Sequence, residues 1–137
     1  MNTSLTDSRK IKSTPSFTIM PDFGGAYIWH NRGEKFEKPE YNEMAEAADR
    51  ISRKFPKKLM AEFEQWERYF ERNASDEYKL SKFDWRLFHR EGVELAVRLK
   101  EVCGDSAQVI YEKPSEDPNV KLNERREVLI DGQLIEA

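Results

Sequence analysis

Cysteine is nearly absent: Cys103 stands alone, which excludes an intramolecular disulfide, a zinc ribbon and a CxxC redox motif. A lone thiol fits a reducing compartment, so the expected location is the cytoplasm. Long apolar runs are missing too. No stretch reaches the roughly 20 residues of a membrane-spanning helix, and residues 1–15 lack the apolar segment of a secretory signal, so they read as a flexible tail before one domain at 16–137. Histidine is confined to His30 and His89, neither with a second His or Cys within helical reach, so no metal site is expected. No GxxxxGK precedes a helix and no GxSxG elbow occurs, which excludes a P-loop and a serine hydrolase of that type. Charge of one sign is lacking as well. The 23 Lys and Arg against 26 Asp and Glu leave only −3, so there is no basic field for coating a polyanion, and no helix-turn-helix or RNP motif appears. The expectation is a protein without cofactor, metal, direct nucleic-acid contact, membrane contact or small-molecule ligand.

What is present is an aromatic core in a charged coat. The 137 residues suit one domain, and 12% aromatic residues argue against disorder despite a mean hydropathy of −0.85. Phe17, Thr18 and Ile19, then Tyr27, Ile28 and Trp29, predict two short strands at 16–20 and 26–30, joined by the turn Pro21-Asp22-Phe23-Gly24-Gly25. A further turn at Asn31-Arg32-Gly33 leads into a candidate third strand reaching Phe36. From residue 39 the period lengthens: Tyr41, Met44, Ala48, Ile51 and Phe55 mark an amphipathic helix that Pro56 ends. Leu59, Phe63, Trp66 and Phe70 mark a second helix, and the stretch from Asn73 to Lys82 reads as a polar connection. A third helix starts near Asp84, itself a candidate cap, and carries Trp85, Phe88, Gly92, Leu95, Ala96, Leu99 and Val102 before a terminal Gly104. Gly92 in mid-helix predicts a close approach by another element. Strand chemistry returns at 107–112 and 127–130, and Asp131-Gly132 predicts a two-residue type I′ turn into Gln133-Leu134-Ile135. The expected fold is α+β, in the order β-β-α-α-α-β-β-β, with three helices on one face of a mainly antiparallel sheet.

Candidate chemistry is sparse. Cys103 sits on an apolar helical face and reads as a buried hydrophobe more readily than as a nucleophile. His89 reads as a surface or boundary residue. The segment Tyr111-Glu112-Lys113-Pro114-Ser115-Glu116-Asp117-Pro118 offers carboxylates on a proline-stiffened loop, suited to docking a basic partner, to acid/base work, or to solvation alone. Phe63, Trp66 and Phe70 have core spacing, whereas Tyr69 and Tyr78 lie off that stripe.

Three segments resemble a known group. Phe23-Gly24-Gly25-Ala26-Tyr27-Ile28-Trp29 with Gly33, the helix carrying Leu59, Trp66, Tyr69 and Phe70, and Phe83-Asp84-Trp85 with Phe88, Gly92, Leu95-Ala96 and Leu99-Lys100 leading into Val109 and Tyr111 are similar to small bacterial immunity proteins. These belong to polymorphic toxin and contact-dependent growth-inhibition systems. Tyr27 departs from the small residue of that pattern. The resemblance implies a cytoplasmic, non-enzymatic inhibitor that binds a cognate toxin domain. Nuclease toxins hold phosphate in basic channels, and a carboxylate-rich face complements them. Net charge supports such a face at the C-terminal end: residues 1–38 carry +2, 39–104 carry −1, and 105–137 carry −4. Glu112, Glu116 and Asp117 are the expected partner-binding charges, with Tyr111, Asp22 and Phe23 beside them and no catalytic residue. Two other readings stay open: a small hydrolase or nuclease using His30 with Asp22 and the Glu116/Asp117 pair, and a non-catalytic subunit of a larger assembly.

Overall fold

The computed structural model describes residues 14–30, 40–120 and 124–137, without the side chains of 40–42. The expected tail up to residue 13, the turn at 31–33 and the third strand to Phe36 fall outside these residues. In chain order the elements are β1 (Ser16–Ile19), β2 (Ile28–His30), α1 (Glu40–Ser52), α2 (Lys57–Asn73), α3 (Glu77–Lys82), α4 (Trp85–Cys103), a 3-10 turn (Gly104–Ser106), β3 (Gln108–Glu112), β4 (Arg125–Val128) and β5 (Leu134–Glu136). The fold is α+β, with a mixed five-stranded sheet in the order β2-β1-β3-β4-β5. β1 and β3 run parallel, Phe17 beside Val109 and Ile19 beside Tyr111, and the other neighbours are antiparallel. The sheet is therefore mainly antiparallel, as expected, with one parallel pair that was not: the helices act as a crossover that returns the chain beside β1 in the same direction.

The described helices number four, not three. The stretch read as a polar connection contains α3, started by the Asp76 carboxylate accepting from the Lys79 amide at 2.8 Å. It buries none of its residues, which is why no apolar period announced it. Asp84 caps α4 by accepting from the Leu87 amide at 3.0 Å, and Gly104 leaves that helix at φ +55°. The β4–β5 connection also differs from expectation. Leu129 donates its amide to the Gln133 carbonyl and Gly132 takes φ +85°, so the loop has three residues, with the glycine in the left-handed region, rather than a two-residue type I′ turn.

One face of the sheet, carrying Phe17, Ile19, Val109, Tyr111 and Val128, packs on Phe63, Trp66 and Phe70 of α2 and Phe88, Ala96 and Leu99 of α4. Full burial of each Phe contributes about 1.5–3 kcal/mol. The rings are oriented as well as packed: Trp66 stacks on Phe88 with centroids 4.5 Å apart, and its indole N–H donates to the Phe88 carbonyl at 3.0 Å. Gly92 lies where α2 and β3 converge. A Cβ there would stand 2.5 Å from the Trp66 ring and 2.7 Å from the Tyr111 hydroxyl.

Candidate functional site

Because β1 and β3 are parallel neighbours, the segments that follow them emerge at the same end of the sheet. After β1 comes the 21–25 turn, closed by Gly25 donating to the Asp22 carbonyl and Asp22 donating to the Ala26 carbonyl, with Gly25 at φ +88°. Phe23 stacks on buried Phe70 at 4.7 Å yet stays 41% exposed, so it anchors the turn to α2 while presenting an edge to solvent. Asp22 is exposed beside it. After β3 comes the 113–120 loop, where Asp117 donates its amide to the Pro114 carbonyl and accepts from the Val120 amide.

Not all six expected partner-binding residues face outward. Asp22 and Phe23 are exposed, Glu116 is half-buried in the 113–120 loop, and Glu112 is half-buried on β3, where it pairs with Arg125 at 3.3 Å. Asp117 and Tyr111 are only 3% and 4% exposed. As surface charges or contacts these two are corrected: both polar groups turn inward onto His89. The His89 Nδ1 lies 2.7 Å from the Tyr111 hydroxyl and Nε2 lies 2.7 Å from Asp117 Oδ2. A carboxylate only accepts, so Nε2–H donates to Asp117 and the bare Nδ1 accepts the Tyr111 O–H. Asp117 Oδ1 takes the Asn119 amide at 2.9 Å.

Acid, imidazole and hydroxyl in a row make a proton relay in form. Its surroundings give it another task. The Tyr111 hydroxyl is sealed against Gly92 and Trp66, and burial together with the nearby Asp117 charge holds its proton on far above the usual range for a phenol. Burial also pushes the His89 imidazole below its ordinary value, against the opposing pull of Asp117. The row latches the 113–120 loop to α4 and β3. His89 was expected at a surface or boundary, and no spacing rule links it to residues 22 and 28 positions away.

A second cluster lies beside the 21–25 turn. Glu67 on α2 is buried, its Oε2 has no hydrogen-bond partner, and burial, then Glu71 and Asp22, push its carboxyl up to about 7. The sheet end thus gathers Asp22, Glu67, Glu71 and Glu116 from separate parts of the chain.

His30 is exposed on β2 and pairs with Phe17 at the opposite end of the sheet from the 113–117 loop. The strand topology therefore separates it from Asp22 and the Glu116/Asp117 pair, and those residues form no common constellation. Cys103 is buried, and burial pushes its thiol up to about 11, the state of a packing residue. Elsewhere an open groove of about 480 Å³ runs along the outer side of the α2–α4 contact. Exposed Tyr69 and Leu87 flank it, Glu91 and Glu94 line one wall, and Arg98 bridges its end to Glu62. No family model, curated protein or solved structure matches this chain.

Proposed function

We propose that this chain is a cytoplasmic protein-binding inhibitor of the immunity-protein kind, which neutralises a basic toxin domain through the carboxylate-rich end of its sheet. The observation that carries the reading is the convergence of the 21–25 turn and the 113–117 loop at one end of the parallel pair β1 and β3. Exposed Asp22 and half-buried Glu116 supply the charge, Phe23 supplies a half-exposed aromatic anchor on a rigid base, and the His89 latch holds the loop still. A preformed face of this kind loses little entropy on docking. Nuclease domains suit it best as partners, because a channel that holds phosphates is basic and carboxylates steer into it.

The test is capture of the product of the adjacent gene by the intact chain, together with protection of cells expressing that product. Replacing Asp22→Lys and Glu116→Lys together is expected to weaken capture at least tenfold. Glu91→Lys with Glu94→Lys, in the groove along the α2–α4 contact, leaves it within threefold. Equal capture by the first pair of variants and loss by the second would move the binding face to the groove. Neither capture nor protection with the wild-type chain would overturn the inhibitor reading itself.

A further inference from the structure

Among the described residues, β5 is an edge of the sheet. Along its helix-facing side a row of residues runs Phe17, Val109, Val128, Leu134 across four strands, and cover is lost abruptly at the last: the first three are at most 2% exposed and Leu134 is 42% exposed. On the opposite side the row Thr18, Ile110, Glu127, Ile135 ends in an Ile135 that is 43% exposed. Ile130 in the adjoining loop is 54% exposed. Edge strands are usually protected by lysine, proline, a bulge or a covering segment, and the residues 134–136, Leu-Ile-Glu, contain neither of the first two. Among the described residues, no strand lies beyond β5.

The hydrogen-bond register says which backbone groups are left over. Leu129 and Gln133 form a hydrogen-bonded pair, so alternation makes Glu127 and Ile135 the next and turns the N–H and C=O of Leu134 and Glu136 outward. We infer that this edge pairs with β5 of a second copy of the chain, antiparallel and centred on Ile135, so that two sheets join into one. Only this two-fold register uses all the outward groups: Leu134 exchanges both bonds with Glu136 of the other copy, and the reverse pair does the same. Centring on Glu136 would oppose two carboxylates, and centring on Leu134 would set Glu136 against the glycine loop. The chosen register places no like charges opposite one another, and it brings the two Ile135 side chains together at a close, non-hydrogen-bonded position. The contact is isologous and closes on itself. Its strand is short, which puts it at the small end of interfaces, below about 1,200 Å², the size of weak and reversible contacts.

Sedimentation velocity on the full chain from 1 to 500 µM tests this pairing whether or not a toxin exists. A reversible dimer is expected across that range. Ile135→Lys alone and Ile135→Glu alone should each weaken dimerisation at least tenfold, whereas an equimolar mixture of the two variants should associate again, because the two side chains face each other only in this register. Leu134→Pro, which removes an outward N–H, should also dissociate it. Circular dichroism confirms that each variant is folded. A wild-type chain that stays monomeric at 500 µM, or a dimer indifferent to Ile135→Lys, Ile135→Glu and Leu134→Pro, would overturn the inference. A dimer broken by both Ile135 variants but not restored by mixing them would overturn the register.

Discussion

Glu67 is an acid on the buried side of α2, beside Glu71 and Asp22, with one oxygen unpartnered. Its carboxyl rises from an ordinary value near 4.5 to about 7 in the folded chain, so the folded state holds its proton over a range where the unfolded state has released it. Stability therefore declines as pH rises from about 4.5 to 7 and is level above. Glu67→Gln is expected to stabilise the fold by about 1–3 kcal/mol at pH 8 and to change little at pH 4, read by urea denaturation at both. His89 carries the opposite dependence. Its folded pKa lies below the ordinary 6.5, so stability is full above 6.5 and falls as pH drops through the folded value. His89→Gln should flatten that decline below pH 6.5, and amide exchange in the 113–120 loop should rise with the latch gone. Some of this scale was legible in the sequence. Asp84 as a cap and Cys103 as a packing residue follow from their places on a helical period, because both act through local chain geometry. The His89, Tyr111 and Asp117 row does not, because it is assembled from a helix, a strand and a loop that only the tertiary fold brings together.

Elements were readable where one face is apolar. α2 and α4 announce themselves by period, and Gly92 in mid-helix signals the close neighbours, Trp66 and Tyr111, that stand against it. Gly92→Ala tests that contact. Helix propensity alone favours alanine by about 1 kcal/mol, but a methyl within 2.7 Å of two aromatic side chains forces them apart. The net effect should be destabilisation of about 1–3 kcal/mol in thermal or denaturant unfolding. A neutral or stabilised variant would mean that Trp66 and Tyr111 yield freely. The solvent-exposed α3 gave no such signal, and neither did the direction of β3. Strand residues read the same whether their neighbour is parallel or antiparallel, and only the crossover length separates the two. That ambiguity matters, since the parallel pairing alone puts Asp22 and Glu116 at one end.

Across the whole molecule, the small net charge of −3 is an average over unlike regions, and folding redistributes it further. Charge counts along the chain place the acidic excess in the C-terminal quarter, residues 105–137. The fold withdraws Asp117 and Tyr111 from the expected set, ties Glu112 to Arg125, leaves Asp22 exposed, and brings Glu67 and Glu71 of α2 beside it. A count along the sequence could find the excess of carboxylates but not sort inward from outward ones. The inhibitor reading rests on the outward set, and electrostatic steering is its most specific consequence. The direct measurement is the association rate between this chain and the adjacent gene product, by stopped flow at low and physiological salt. The account predicts a rate that falls at least tenfold with added salt and at least tenfold in the variant carrying Asp22→Lys and Glu116→Lys. A rate unchanged by both salt and these substitutions would contradict it.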